Sequence, residues 1–342
     1  MKVNVANYLI IDNPANGGFG SIFRAIQEKD ITKRIVIMKT IKKKFAKDKS
    51  FKNNFLSEIK TSFPLTHPNI AQIYDYGESD GILYYILEYV EGVTVRNLIR
   101  KSIENKADLK IPHIVYIIIE ACKGLHFAHN FKDQLTGEKY KIVHRDITPH
   151  NIMISYTGDI KIIDFGIAKA KTNLETTTVG VYKGKPAYMA PEYIRSGIYD
   201  HRFDQFSLGI IFWEMLTRKK LFTGKNYIEI IKSIDKCEIP LPRFHNDNID
   251  HELQEIILKM LHKNPRKRFS NLSTVIQELN KHLYKTYPDF SPSDFSGFIK
   301  KIYSSQIRWE ETRLRRLIND ALNKVAIKDE LLNSAKKIRK SS

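Results

Sequence analysis

Over residues 1–90 the apolar positions come in short runs set apart by turn residues. Residues 8–11, 21–26 and 34–40 read as strands, punctuated by Asn13-Pro14 and Asn16-Gly17-Gly18. A charged, helix-permissive stretch at 50–63 interrupts them. Two more strands, 70–76 and 82–89, bracket residues 77–81, which read as a hairpin turn. From about Val95 the period lengthens. Residues 111–129 form a long apolar helix with Pro112 near its start, and 205–217, 227–237 and 251–261 follow the same helical pattern. After a Pro- and Ser-containing stretch at 287–292, Leu314, Leu317, Ile318, Ala321, Leu322 and Val325 recur at three- and four-residue spacing, one stripe of a last helix. A β-rich first part followed by an α-rich second part predicts an α+β fold of two unequal lobes. Ligands favour the cleft between such lobes.

Composition narrows this modestly. The 342 residues are 42% hydrophobic and 27% charged, enough apolar material for a sizeable core. A net charge of +18 favours anionic partners without choosing among them. Cys122 and Cys237 are the only cysteines and lack metal-type spacing, so a reducing, cytoplasmic setting is expected. The first residues carry no signal-peptide pattern. The longest apolar runs, such as 114–119, fall far short of the ~18 residues that span a bilayer.

The chemistry lies in a set of motifs in fixed order. Ala15-Asn16-Gly17-Gly18-Phe19-Gly20-Ser21-Ile22 joins two strands, whereas a dinucleotide-binding loop joins strand to helix. Lys39 ends the apolar run Val36-Ile37-Met38, and an ammonium there needs a partner such as Glu58. Next come His144-Arg145-Asp146-Ile147-Thr148-Pro149-His150-Asn151, then Asp164-Phe165-Gly166, 18 residues after Asp146, then Ala190-Pro191-Glu192. Together these resemble the eukaryotic-like protein kinases, especially the bacterial Ser/Thr kinases, over roughly residues 8–280.

That resemblance implies a protein-kinase-like fold with an N-lobe at 1–90, a C-lobe at 91–285 and a basic helical extension at 286–342. It implies ATP and Mg²⁺ as cofactors and Ser/Thr-bearing proteins as substrates, with cytoplasmic location. By resemblance, Ala15, Gly17, Gly18 and Gly20 cradle phosphates, and Ile22, Ile37 and Met153 enclose the adenine. Leu87, Glu88 and Val90 form the hinge. Lys39, paired to Glu58, neutralises the α- and β-phosphates. Asp146 orients the attacking hydroxyl, and Asn151 and Asp164 bind the metal, an oxygen set that suits magnesium. Asp204 steadies the catalytic loop, and Glu192 with Arg268 anchors the end of the activation segment. Arg145 binds a phosphate on that segment, with Thr172, Thr176, Thr177, Thr178 and Tyr182 as acceptors and 176–178 the expected site of autophosphorylation.

Four residues depart from the family pattern. Ala15 replaces the first loop glycine, and Ile37 replaces a small residue under the adenine. Thr148 stands where these kinases carry a lysine, while Lys185 stands where they carry a threonine. The simplest reading is an exchange in which Lys185 supplies the ammonium beside Asp146. Lys185→Ala then costs turnover more than ATP binding, and full activity in that variant sinks the exchange. These departures leave a pseudokinase or nucleotide-binding scaffold as the alternative. A small-molecule kinase fits less well, because the Ala-Pro-Glu segment suits a peptide substrate. No specific nucleic-acid signature accompanies the charge. For the basic last helix, packing on the large lobe is the first expectation. A docking partner or an anionic membrane surface is the second.

Overall fold

Alternation over residues 35–39 sets the architecture of the first part: Val36 and Met38 are buried on one side, and Ile35, Ile37 and Lys39 point to the other. The computed structural model describes residues 4–5, 7–16, 20–29, 32–42, 45, 48–104, 108–165 and 186–340. The chain divides into two units. The first comprises Met1–Lys52, Ile73–Tyr89 and Tyr303–Ser342, and the second Asn53–Gln72 and Val90–Ile302.

The first unit is built on a six-stranded antiparallel sheet. Its strands are β1 (Asn4–Val5), β2 (Tyr8–Asn16), β3 (Gly20–Lys29), β4 (Thr32–Ile41), β5 (Ile73–Ser79) and β6 (Ile82–Glu88), in the order β1-β2-β3-β4-β6-β5. One face buries Val36 and Met38 against Tyr8, Ala25, Tyr84 and Ile86. The other gathers Leu9, Ile11, Ile26 and Ile35. The hairpin turn is tighter than the glycines at 77 and 81 suggest. Ser79 pairs with Ile82, leaving only Asp80 and Gly81 in the turn, at φ 54° and 72°. Two left-handed residues match the twist of the flanking strands. The strand expected at 70–76 starts at Ile73, because Ile70 forms a parallel bridge with Ile162 and the Ala71 N–H donates to the Ile162 carbonyl at 2.9 Å.

The second unit is mostly helical. Its helices are α1 (Lys49–Ser62, from Asn53 on), α2 (Val95–Glu104), α3 (Ile111–His129), α4 (Pro191–Ser196), α5 (Arg202–Thr217), α6 (Tyr227–Lys236), α7 (His251–Met260) and α8 (Leu272–Thr286), with the opening of α9 (Pro292–Lys340). A small sheet, β7 (Gly92–Thr94), β8 (Ile152–Ser155) and β9 (Ile160–Ile162), accompanies them in that order. Helix α5 is buried from Phe203 to Thr217. Helix α3 is long and apolar enough to cross a membrane, although its unbroken apolar runs are each far shorter than a span. Yet 72% of its most apolar window is buried within the protein, as for a core helix.

The last helix corrects an expectation. Its opening packs in the second unit, where Phe295 and Ile299 are fully buried. The stripe Leu314, Leu317, Ile318, Ala321 and Leu322 does not go to the larger unit. It covers Leu9, Ile11, Ile26 and Ile35 of the first unit's sheet, with Tyr89 beside them. These strand residues are an apolar face that the alternation leaves uncovered, so the stripe finds its partner there.

Candidate active site

In the first unit the site residues sit on adjacent strands in register. Across β3 and β4, Ile22 pairs with Lys39, Arg24 with Ile37 and Ile26 with Ile35. On the other side of β4, Lys39 pairs with Tyr85 and Ile37 with Leu87. Ile22, Ile37 and Lys39 therefore share one face of the sheet. Ala15 pairs with Ile22 near the end of β2, while Gly17 and Gly18 lie outside the described residues. Gly20 has a steric duty beyond any loop role. A Cβ there would lie 1.7 Å from the Thr40 carbonyl oxygen, so β3 meets β4 only without a side chain. Leu87 is buried and Glu88 half-buried at the end of β6. Glu58 lies on α1, with its side chain outside the described residues.

In the second unit a buried carboxylate organises the catalytic loop. Asp204, fully buried on α5, accepts the backbone N–H of His144 at 2.8 Å and of Arg145 at 2.9 Å, and pairs with His129 Nε2 at 2.8 Å. Burial alone would raise its pKa. The hydrogen bond from His129 and the nearby imidazole of His144 outweigh that and hold the carboxyl below its ordinary range. With both N–H groups fixed, Arg145 is held at φ 64°, a left-handed turn that carries the chain into Asp146.

His144 ties this loop to the next motif. Its Nδ1 accepts the Asp146 N–H at 3.2 Å, so its proton sits on Nε2 and donates to the Ile163 carbonyl at 3.0 Å. Its ring meets Phe165 edge-on at 4.6 Å. Ile152 pairs with Ile162 across the β8–β9 hairpin, so Asn151 just before it and Asp164 just after it emerge at the same end. The Ile163 N–H closes that end on the Asn151 carbonyl at 3.0 Å. Asn151 Nδ2 donates to the Asp146 carbonyl at 2.8 Å and to Asp146 Oδ2 at 3.1 Å. The amide nitrogen is thus committed to Asp146, and the amide oxygen is the end suited to a hard cation. Asp164, at φ 64°, adds a carboxylate, so the donors are all oxygen and fit magnesium. Met153 lies half-buried on β8, opposite Thr94 and Lys161, and Val90 is buried.

The anchoring pair is also in place. Arg268 donates to Glu192 twice, at 2.8 and 2.7 Å, with the guanidinium wholly buried. Thr148 is buried and its carbonyl accepts the Asn151 N–H at 2.9 Å. Lys185, Gly166 and the candidate phosphate acceptors Thr172, Thr176, Thr177, Thr178 and Tyr182 lie outside the described residues. Two participants escaped the sequence reading. His129 ends a helix read only as apolar core, and Tyr199, which accepts from the Arg145 guanidinium at 3.0 Å, belongs to no motif.

These arrangements agree with what the chain is similar to. Residues 15–285 match the family model described as the protein kinase domain. The chain belongs to the protein kinase family. Among curated relatives of this kinase, MasK of Myxococcus xanthus, named a tyrosine-protein kinase, is 31% identical over 311 residues, 91% of this chain and 48% of MasK. PrkC of Bacillus subtilis, named a serine/threonine-protein kinase, is 34% identical over 262 residues, 77% of this chain and 38% of PrkC. The chain spans about half, or less, of the length of these relatives. Among solved structures, the PknI kinase domain of Mycobacterium tuberculosis superposes with a TM-score of 0.61 at 20% identity, covering 82% of this chain and 97% of that domain. That likeness establishes the protein kinase fold.

Proposed function

We propose that this kinase transfers the γ-phosphoryl group of ATP to Ser and Thr hydroxyls of proteins in the cytoplasm, including its own activation segment at 176–178. The observation that carries this reading is the joint placement of Asp146, Asn151 and Asp164 by one buried frame, Asp204, His129 and His144. Membership in the family implies ATP and a divalent metal, and the oxygen donors of Asn151 and Asp164 favour Mg²⁺. When bound, that ion neutralises charge on the phosphates.

The residues of the chain then divide the work. Asp146, steadied by the Asn151 amide, accepts a hydrogen bond from the substrate hydroxyl and aims its oxygen at phosphorus. Lys39, with Glu58 as its partner, balances charge on the α- and β-phosphates. Ile22, Ile37 and Met153 are the apolar residues assigned to the base, and Leu87, Glu88 and Val90 those assigned to the hinge. Ala15, Gly17, Gly18 and Gly20 belong to the phosphate loop. Lys185 takes the place of the lysine that Thr148 replaces. The apolar stripe of α9 is occupied within the chain, so a docking partner or anionic membrane would meet exposed Arg308, Arg315 and Arg316 instead.

A pseudokinase with the same fold is the second reading, motivated by Ala15, Ile37 and Thr148. Incubation with γ-labelled ATP, followed by phosphoamino-acid analysis, separates the two. The wild type is expected to label Ser or Thr, and Asp146→Ala to lose about 10²–10⁴-fold in rate, the usual contribution of a positioned acid–base group. Equal labelling in both would end the assignment of Asp146. Label on tyrosine alone would move the specificity towards that in the name of MasK.

A further inference from the structure

The family match ends at residue 285, so α9 lies beyond it. Its contacts with the sheet nevertheless fall beside the residues assigned to ATP. Three successive rungs of the β3–β4 ladder lie on one face: Ile22 with Lys39, Arg24 with Ile37, and Ile26 with Ile35. Each is about 7 Å from the next, two residues along a strand. The first rung carries nucleotide residues. The third is covered by Leu314, Leu317, Ile318, Ala321 and Leu322 of α9.

The middle rung links them through charge. Arg24 is buried and donates through Nε to Asp12 Oδ1 at 3.0 Å, with a second, shorter bond from its terminal nitrogen to Oδ2. Tyr89, which adjoins hinge residues Glu88 and Val90, also favours the charge on Arg24. The hydrogen bond to Asp12, against the opposing effect of burial, raises the guanidinium pKa further, so the charge is permanent. Asp12 in turn accepts from Arg313 of α9 at 3.4 Å. A buried, charge-assisted fork has little freedom to reorient, so the position of α9 is transmitted to Arg24 and to the rung it shares with Ile37.

We propose that α9 is a built-in support for the nucleotide-binding face of the sheet, and that Arg313 is a positioning residue acting through Asp12 and Arg24. The proposal rests on the ATP-binding reading above. It ties the extension to ATP affinity and not to the chemical step.

The test uses the full chain, with ATP affinity measured by calorimetry and autophosphorylation rate at saturating ATP. Amide hydrogen exchange of β3 and β4 is followed without nucleotide. Leu317 and Ile318 are only partly buried, so their joint replacement by Ala loosens the helix without emptying the core. That variant is expected to weaken ATP binding about fivefold to tenfold while the saturated rate stays within about twofold, the pattern of a lost binding contribution. Exchange around Arg24, Ile26 and Ile35 is expected to quicken. Arg313→Ala is expected to weaken ATP binding about threefold, with partial recovery in Arg313→Lys. Asn319→Ala, on the exposed side of the helix, is the control and should change nothing.

Unchanged ATP affinity and exchange in the Leu317→Ala/Ile318→Ala variant overturns the proposal, as does a fall in saturated rate alone. If that variant does not fold, unchanged affinity in Arg313→Ala overturns it, because a side chain 44% exposed is dispensable for folding. A wild type that binds no ATP overturns the functional reading and the affinity arm together. The exchange arm reads the support by itself.

Discussion

Asp204 shows how one residue can set the geometry of several others. Its two oxygens fix consecutive backbone N–H groups, and those fix the left-handed turn that presents Asp146. Removing the carboxylate leaves both N–H groups and His129 without their buried acceptor. Asp204→Ala is therefore expected to destabilise the chain by about 3–5 kcal/mol, read as a lower urea midpoint. Activity should fall even in the fraction that stays folded. An unaltered midpoint would show that the loop holds its turn without this clamp. At this scale the sequence was legible wherever motif and geometry coincide, as at Asp146, Asn151, Asp164 and the Glu192–Arg268 pair. It was silent on His129 and Tyr199, whose roles depend on which distant chain segment folds next to them. Gly20 was legible for a different reason from the operative one. A phosphate loop calls for glycine, but the approach of the Thr40 carbonyl already excludes every other residue there.

Among elements, periodicity located α3 to the residue, because a long apolar run with Pro at its start admits few alternatives. The strand starting at Ile73 was less legible. Ile70 and Ala71 are apolar enough for a strand, and only the tertiary pairing with Ile162 takes them out of it. The opening of α9 and the start of α3 share a titratable contact. His113 is buried and stacks on Phe298 at 4.6 Å, with Phe295 and Phe290 at 5.7 and 6.1 Å. Burial foremost, then the charge of Lys110, pushes its pKa down to about 4 from 6.5, opposed by Asp108 and Asp294. The unfolded chain therefore takes up this proton first as pH falls. The contribution is complete above about 6.5 and is lost as pH drops towards about 4. Thermal melts between these values should show stability rising with pH, and His113→Phe, which keeps a ring against Phe298, should flatten that slope. A slope unchanged in the variant would place the pH dependence elsewhere.

For the molecule as a whole, composition announced only an anionic partner. By resemblance, Lys39, Arg145 and Lys185 are proposed to spend part of the +18 charge on phosphates, and the structure places Arg24 and Arg313 on Asp12. The stripe on α9 was visible as a stripe, yet its destination was not. Helical spacing reports that a face is buried, not which surface buries it, and the choice of the sheet follows from the apolar residues that β2, β3 and β4 leave on one side. Despite its departures from the family pattern, this chain is expected to transfer phosphate through Asp146. Intact-mass spectrometry of phosphatase-treated protein, after incubation with ATP and Mg²⁺, tests this most directly. Stepwise gain of phosphate in the wild type, mapped to residues 176–178 and absent from Asp146→Asn, is the expected result. No gain in the wild type, or the same gain in both proteins, would contradict the account.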